Sequence, residues 1–271
     1  MSESIKYAGN LAGYSVLVTG GGTGIGAGCA KELVADGAAV TICGRRQEVL
    51  DEAAEKIAAA AAFGGSVQVV TGDVTDEGSV KEIVAEALKP TGKLNGCIAN
   101  AGGGGMIYGY ENMDTEEFIR VMNLNVLGTM LCVKYTLPHM MEAGGGSFVG
   151  MSSLAGHITH PFFGAYPVAK AGIEAMMRNC ADENGEHNVR FNAIRPGFVA
   201  TEMMEMIPRD GEIYNSYIVN TPLGDVGYPE DIGYLARFLI SPESRWVTGQ
   251  CINVDGGHSL RRGPDFSSFK A

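Results

Sequence analysis

The chain has 271 residues, 45% of them hydrophobic and 19% charged, the balance of a globular protein with a sizeable core and not of a disordered or fibrous chain. Its formal net charge of −11 opposes phosphate backbones and anionic lipid, so neither nucleic acid nor a membrane surface is expected as a partner. The six cysteines stand apart with no Cys-x-x-Cys pair, no uncharged apolar run approaches the ~18 residues of a membrane span, and no apolar stretch follows a basic start, which gives the expectation of a reduced, cytoplasmic protein.

Strand and helix patterns alternate along the whole length, which predicts one domain over 1–271 with its core at 12–257. Ser15-Val-Leu-Val-Thr19 is a short apolar run that ends in Gly20-Gly-Gly-Thr-Gly-Ile-Gly26, the pattern of a buried strand, a tight turn and a helix opening. Glycines let the backbone bend and approach a pyrophosphate, whose charge meets the N–H groups and positive dipole end of the new helix. Without its flanks the cluster would read as a flexible loop; the strand before it and the stripe of Ile25, Cys29 and Leu33 after it make it a phosphate-binding layout.

The second strand, Ala39–Cys43, ends in Gly44-Arg45-Arg46. In a dinucleotide fold this point meets the adenosine ribose, where an acid binds a free 2′-hydroxyl and an Arg accepts a 2′-phosphate. NADP(H) is therefore expected ahead of NAD(H). The plainer alternative, that Arg45 and Arg46 only begin the next helix, sets cations at the wrong end of its dipole.

Leu50, Ala53, Ala54, Ile57 and Ala61 fall at helical spacing, Ser66–Thr71 is a third strand, and Asp73, ahead of Thr75-Asp-Glu, suits a helix opening. Val80, Ile83, Val84, Ala87 and Leu88 mark the next helix, and Leu94–Ala99 the fourth strand, followed by Asn100-Ala101-Gly102, residues that also suit a plain turn. Asp114-Thr-Glu-Glu117 opens a long helix with an acceptor at its cap and Glu three further on. Within that helix, Asn125 is either functional or an exposed surface residue.

Residues 146–151 form the fifth strand and deliver Ser152-Ser153 to its carboxyl end, where ligands bind in such sheets. In Ala165-Tyr-Pro-Val-Ala-Lys-Ala-Gly172, Tyr166 and Lys170 stand four apart, one turn apart on one helix face. A neighbouring cation favours a phenolate, so Lys170 is expected to lower the Tyr166 pKa from its ordinary ~10 toward the range useful in proton transfer.

The whole resembles the short-chain dehydrogenases/reductases over roughly residues 12–257. Ser153 stands thirteen positions before Tyr166, Lys170 four after it, and Thr19-Gly20 is followed after three residues by Gly24-Ile25-Gly26. Gly44-Arg45, Asn100-Ala-Gly102, Asn125-Val-Leu-Gly128, Arg195-Pro-Gly-Phe-Val-Ala-Thr201 and Gly249–Gly257 complete the match in order. The resemblance implies an α/β fold: a single doubly wound Rossmann domain with a parallel sheet of about seven strands and helices on both faces. It implies catalytic roles for Asn125, Ser153, Tyr166 and Lys170, with Asn125 holding a helix distortion and a water relayed to Lys170. The thirteen-residue spacing favours Ser153 over Ser152. Cofactor contacts are implied for Gly20, Gly22, Thr23, Gly24, Ile25 and Gly26 in the glycine turn, and for Arg45 and Arg46 at the ribose. They are implied likewise for Asp73 and Val74 at the adenine, for Asn100, Ala101 and Gly102 beside it, and for Tyr166, Lys170, Pro196, Gly197, Val199 and Thr201 around the nicotinamide.

The implied activity is hydride transfer between NADP(H) and a carbonyl or secondary alcohol of a fairly apolar small molecule, without a metal. A reductase of acyl chains on a carrier protein and a non-catalytic NADP-binding sensor are the alternatives; the assembly implied is a homotetramer. Residues 198–228, with Met203, Met204, Met206, Ile207, Tyr214, Tyr217 and Ile218, read either as a mobile apolar substrate lid or as the core face of one more helix. His157 and His160 are candidates to line the cleft. The tail 258–271 has no assignment.

Overall fold

The computed structural model describes residues 7–204 and 207–261. Its strands are β1 (Ser15–Thr19), β2 (Ala39–Gly44), β3 (Ser66–Thr71), β4 (Gly96–Ala99), β5 (Gly146–Met151), β6 (Val189–Pro196) and β7 (Cys251–Val254). The helices between them are α1 (Gly24–Ala35), α2 (Gln47–Ala58), α3 (Glu77–Leu88), α4 (Thr115–Met122), α5 (Gly128–Glu142), α6 (Ala165–Asn184), α7 (Glu212–Asn220) and α8 (Pro229–Ile240). All seven strands run parallel in the order β3-β2-β1-β4-β5-β6-β7.

Successive strand residues point to opposite faces, and each face has its own core. Val16, Val18, Val40 and Ile42 pack with Cys29 and Leu33 of α1, Leu50 and Ile57 of α2, and Ile232 and Leu239 of α8. Leu17, Cys97, Phe148 and Phe191 face the other way, onto Ile83 of α3, Leu131 of α5, and Ile173 and Met177 of α6. The near-continuous apolar runs of the strands follow from this two-sided burial. The expected single Rossmann-type α/β domain, with seven parallel strands and helices on both faces, is borne out.

The chain builds β1, β2 and β3 outward to one side, then returns past β1 to begin β4. That reversal leaves a crevice beyond the carboxyl ends of β1 and β4, which are paired Val16↔Gly96 and Val18↔Ile98.

At three places the structure decides or refines the sequence reading. The long helix after Asp114 carries, at Asn125, the distortion that the resemblance implied: a π-helical turn, Asn123–Leu127, between α4 and α5. At its start Asp114 does cap the helix, accepting from the Glu117 N–H at 2.8 Å, but the Glu117 carboxylate turns to the Met106 N–H and to Arg120 and closes no reciprocal box. In the 198–228 stretch, α7 buries Ile213 and Tyr217 with Phe198 and Ile207 in a small separate core, joined by Ile107, Phe162 and Phe163. Met206 and the Met203 side chain lie outside the described residues, as does the tail from 262 onward. His258–Leu260 forms one 3-10 turn. Among the described residues, no helix is long and apolar enough to cross a membrane.

Candidate active site

At the end of β1 the glycine turn leads straight into α1. A Cβ on Gly26 would run into the Gly20 carbonyl oxygen and the Asn100 amide, so the turn closes this tightly only with bare backbone there. Asn100 locks it from β4: its Nδ2 donates to the Thr19 and Gly20 carbonyls at 3.0 and 3.2 Å, while Thr19 Oγ1 accepts from the Asn100 and Ala101 N–H groups at 3.1 and 3.0 Å. The Asn100 side chain is thus spent on the turn, and Ala101 and Gly102 face the crevice.

A cavity of about 180 Å³ lies here, lined by Gly20, Gly22, Thr23, Gly44, Arg45, Arg46, Asp73, Val74, Ala101 and Gly102. Arg45 and Arg46 are exposed on its rim. The Asp73 carboxylate accepts from Thr75 N–H and Oγ1 at 2.9 and 2.7 Å. Those bonds, with Arg45 nearby, hold its pKa below the ordinary carboxylate value against the opposing effect of burial. Asp76, not Asp73, caps α3, accepting from the Ser79 N–H at 2.6 Å. Asp73 is therefore left to the cavity. A bare backbone at the turn, helix N–H groups, cations at the rim and an acid inside are the donor set that a dinucleotide's adenosine half requires.

A second cavity, about 760 Å³, opens on the outer side of the glycine turn and takes in Gly24, Lys31, Lys56, Thr201 and Arg209. None of Ser153, Tyr166 or Lys170 lines it.

Ser153 follows β5 and its hydroxyl accepts from the Ala155 N–H at 3.2 Å, capping a 3-10 turn. It also lies close enough to the Tyr166 phenol to act on its titration, so the two residues named for the reacting oxygen stand side by side. Burial nevertheless pushes the Tyr166 phenol above its ordinary value, with Ser153 pulling the other way. The expected lowering by Lys170 is not found. Lys170 Nζ sits 5.4 Å from the centre of the Tyr166 ring, donates to the Met151 carbonyl at 2.8 Å, and is itself pulled down to about 8 by burial. At this separation the lysine does not offset the cost of burying the phenolate.

Asn125, fully buried, sits in the π-helical turn. Its Nδ2 donates to the Val121 and Gly103 carbonyls at 2.8 and 3.0 Å, and its Oδ1 accepts from the Gly103 N–H at 3.3 Å. The exposed-surface alternative is excluded. A Cβ on Gly102 would lie 2.6 Å from Asn125 Oδ1 and 3.2 Å from Lys170 Nζ, so these two groups flank one small space.

Beyond β6, the Gly197 N–H donates to the Val254 carbonyl at 2.9 Å, Val199 forms an isolated bridge with Gly227, and the Thr201 methyl lies 3.1 Å from where a Gly24 Cβ would be. The run Pro196–Thr201 thereby crosses from the sheet to the glycine turn. Ile25 packs at the edge of the first core.

Sequence reasoning named His160, Tyr214 and Tyr217 but missed Phe163, Phe198 and His258, which join them in one aromatic cluster. Phe163 lies 5.1 Å from the Tyr166 ring, His160 stacks on Phe163 at 5.9 Å, and Tyr217 of α7 stacks on Phe198 at 4.3 Å and meets His258 edge-on at 5.5 Å. Burial, with His258 nearby, pulls the His160 pKa down to about 4, so at neutral pH it is an uncharged part of this cluster. His157 is exposed. Ser152 is excluded as the cleft serine, because its buried hydroxyl donates to Glu174 Oε1 at 2.8 Å and lies 3.1 Å from the Lys170 carbonyl. Among the described residues, no three His, Cys, Asp or Glu side chains are grouped so as to hold a metal ion.

Residues 20–259 match the family model described as Enoyl-(Acyl carrier protein) reductase. The chain is 35% identical over 250 residues to the 2,5-dichloro-2,5-cyclohexadiene-1,4-diol dehydrogenase of Sphingobium indicum, covering 92% of this chain and 98% of that one. It superposes with a TM-score of 0.92 and 43% identity on a short-chain type dehydrogenase/reductase from Mycobacterium ulcerans, covering 95% and 94% of the two chains. Levodione reductase gives 0.87 at 29% identity, covering 92% and 99%. With the crevice at the strand reversal and Ser153, Tyr166 and Lys170 gathered beside it, these matches establish that the chain belongs to the short-chain dehydrogenase/reductase family.

Proposed function

We propose that the protein is an NADP(H)-dependent oxidoreductase acting on a carbonyl or secondary alcohol of a fairly apolar small molecule. The observation that carries this reading is the placing of the Tyr166 phenol beside Ser153 at the end of β5, with buried Lys170 one helical turn further on. The nicotinamide, when bound, supplies or receives the hydride. Ser153 and Tyr166 hydrogen-bond the substrate oxygen, where negative charge grows as the carbonyl is reduced. Tyr166 then gives its proton to that oxygen. Its raised pKa keeps the phenol protonated at neutral pH, which suits it to act as the acid in reduction; in alcohol oxidation it would have to take the proton back. Lys170, with Asn125 across the small space beside Gly102, anchors the ribose and passes the replacement proton inward. The glycine turn and Gly102 bind the phosphates and ribose, Arg45 and Arg46 the 2′-phosphate, Asp73 and Val74 the adenine, and Pro196–Thr201 the nicotinamide.

Phe163 packs beside Tyr166 and joins Phe198, Tyr214 and Tyr217 in a small apolar cluster, which suits an apolar substrate, and the similar proteins named for a cyclohexadiene diol and for levodione make ring alcohols and ketones the first to try. Residues 198–228 are proposed as the lid over that substrate. A carrier-protein substrate would accord with the description of the matching family model, but a net charge of −11 opposes docking of an acidic carrier. Turnover of a panel of cyclic ketones and alcohols with NADPH, NADH and their oxidised forms tests the reading. Activity only with NADH would overturn the cofactor assignment, and binding without any turnover would leave the sensor alternative standing.

A further inference from the structure

Glu174 lies on α6 one helical turn after Lys170, and its carboxylate is buried. Oε1 accepts from Ser152 Oγ at 2.8 Å and from Arg195 Nε at 2.6 Å, while Oε2 accepts from Arg195 Nη2 at 2.5 Å. Each partner stands next in the chain to a residue of the proposed site. Ser152 precedes Ser153 at the end of β5, and Arg195 precedes Pro196 at the end of β6.

The two strands are registered to each other by backbone bonds, Met151 opposite Ile194 and the Ser152 N–H on the Ile194 carbonyl at 2.8 Å. Helix α6 meets the sheet through the apolar Ile173 and Met177, and Lys170 bonds the end of β5 through its Nζ at the Met151 carbonyl and its own carbonyl at Ser152 Oγ, neither of which reaches β6. The Glu174 carboxylate adds directional bonds between this helix and both strand ends. The connection continues through Arg195 Nη1 to Asn253 Oδ1 at 3.4 Å and from Asn253 Nδ2 to Ser259 Oγ at 2.9 Å, beside His258 against the Tyr217 ring. Burying an ion pair yields little net stability over a well-packed apolar pair, so stability alone does not account for its place here.

We infer that Glu174 is a positioning residue: through Ser152 and Arg195 it sets Ser153 and Pro196, on two strands, at a fixed distance from Tyr166 and Lys170 on α6. The inference rests on the function proposed above. Hydride transfer needs acid, oxygen donor and nicotinamide floor in register, and a misplacement of about 1 Å can cost roughly 100-fold in rate.

The test compares E174Q, R195M and the double variant E174M/R195M for kcat, NADPH dissociation constant, Tm and amide hydrogen exchange. The single R195M leaves the buried carboxylate with only the half-exposed Arg178, 4.0 Å away, as an ion partner and should lower both Tm and kcat. The double variant removes both charges and should recover Tm, yet keep kcat at least ~10-fold below wild type with NADPH affinity within about threefold, since the adenosine half is remote from the brace. E174Q, nearly isosteric, should fold and show the same split in weaker form. Exchange at residues 152–157 and 195–199 should rise in the double variant at unchanged Tm. Recovery of kcat together with Tm would overturn the inference, as would unchanged exchange at both strand ends. If wild type turns over no ketone or alcohol, the functional reading has failed, and the exchange result still decides whether Glu174 holds the strand ends.

Discussion

Lys170 Nζ hydrogen-bonds the Met151 carbonyl at 2.8 Å and stands 5.4 Å from the centre of the Tyr166 ring, so the lysine is tied to the strand that carries Ser153. Its ammonium is buried, and its pKa falls from 10.5 to about 8. Between those values the unfolded chain holds the proton that the folded chain has released. Stability contributed by this group therefore rises with pH from about 8 to 10.5 and is reduced below that window, by on the order of 3 kcal/mol at most. Tyr166, raised above 10, acts oppositely at higher pH, where the unfolded chain loses its proton first. Thermal melts of wild type and Lys170→Met from pH 7 to 10 should converge or diverge with pH, wild type gaining relative to the variant above pH 8. A pH-independent difference would contradict the buried, charged lysine.

Gly102→Ala should damage the site without unfolding the protein. The added Cβ lies 2.6 Å from Asn125 Oδ1 and 3.2 Å from Lys170 Nζ, and Asn125 is held by three hydrogen bonds to backbone. One of the two polar groups must shift. A kcat loss of ten- to a hundredfold is expected from a displacement approaching 1 Å, with Tm lowered by only a few degrees. Unchanged kcat would mean that the space between Asn125 and Lys170 has no part in turnover.

The parallel sheet was legible because two-sided burial writes itself into runs such as Val16-Leu17-Val18, whose alternate residues supply the two cores. The glycine turn and the Tyr166/Lys170 pair were legible for a similar reason, since short spacings fix which groups share a turn or a helix face. Depth was not. Spacing cannot say that Tyr166 is itself deeply buried, and that burial reversed the expected direction of its shift. The π-helical turn at Asn123–Leu127 leaves the helical pattern of its segment uninterrupted in sequence, and only the resemblance at Asn125 pointed to a distortion there. Glu174 and Arg195, 21 residues apart, meet only once α6 has packed on β6.

Cofactor choice should follow Arg45. Replacing it with Asp puts a negative charge at the rim of the adenosine cavity beside Asp73, where it would repel a 2′-phosphate and accept from a free ribose hydroxyl. Arg45→Asp should weaken NADPH binding tenfold or more, at least ~1.4 kcal/mol, while NADH is unaffected or improved. Fluorescence titration with both reduced cofactors reads this directly, and equal losses for the two would remove Arg45 from the 2′-phosphate site.

Ile119 of α4, Met130 of α5 and Val168 of α6 are exposed. We propose that these helices pair with their copies in a homotetramer, because neighbouring exposed apolar side chains of this size are more stable covered. Light scattering at micromolar concentration should report four chains, and Val168→Glu should shift the distribution to smaller species. A monomeric wild type would contradict the assembly.

Tyr166→Phe should separate chemistry from binding. The ring keeps its place against Phe163, 5.1 Å away, and the glycine turn, Arg45 and Lys170 are untouched. Only the hydroxyl is lost, and with it the contact with Ser153 and the proton proposed for the substrate oxygen. General acid catalysis contributes ~10² to 10⁴ in rate, about 3 to 5.5 kcal/mol, and the missing contact to the developing alkoxide adds to the defect. Burial raises the phenol's pKa, so the wild-type hydroxyl is neutral at pH 7 and its removal leaves no uncompensated charge; stability should change by less than about 1.5 kcal/mol. NADPH affinity, read by its fluorescence, should stay within about tenfold of wild type, under ~1.4 kcal/mol. A Phe variant that reduces a good ketone at near-normal rate would show that the proton comes from elsewhere, and the roles assigned to Ser153 and Lys170 would fall with it.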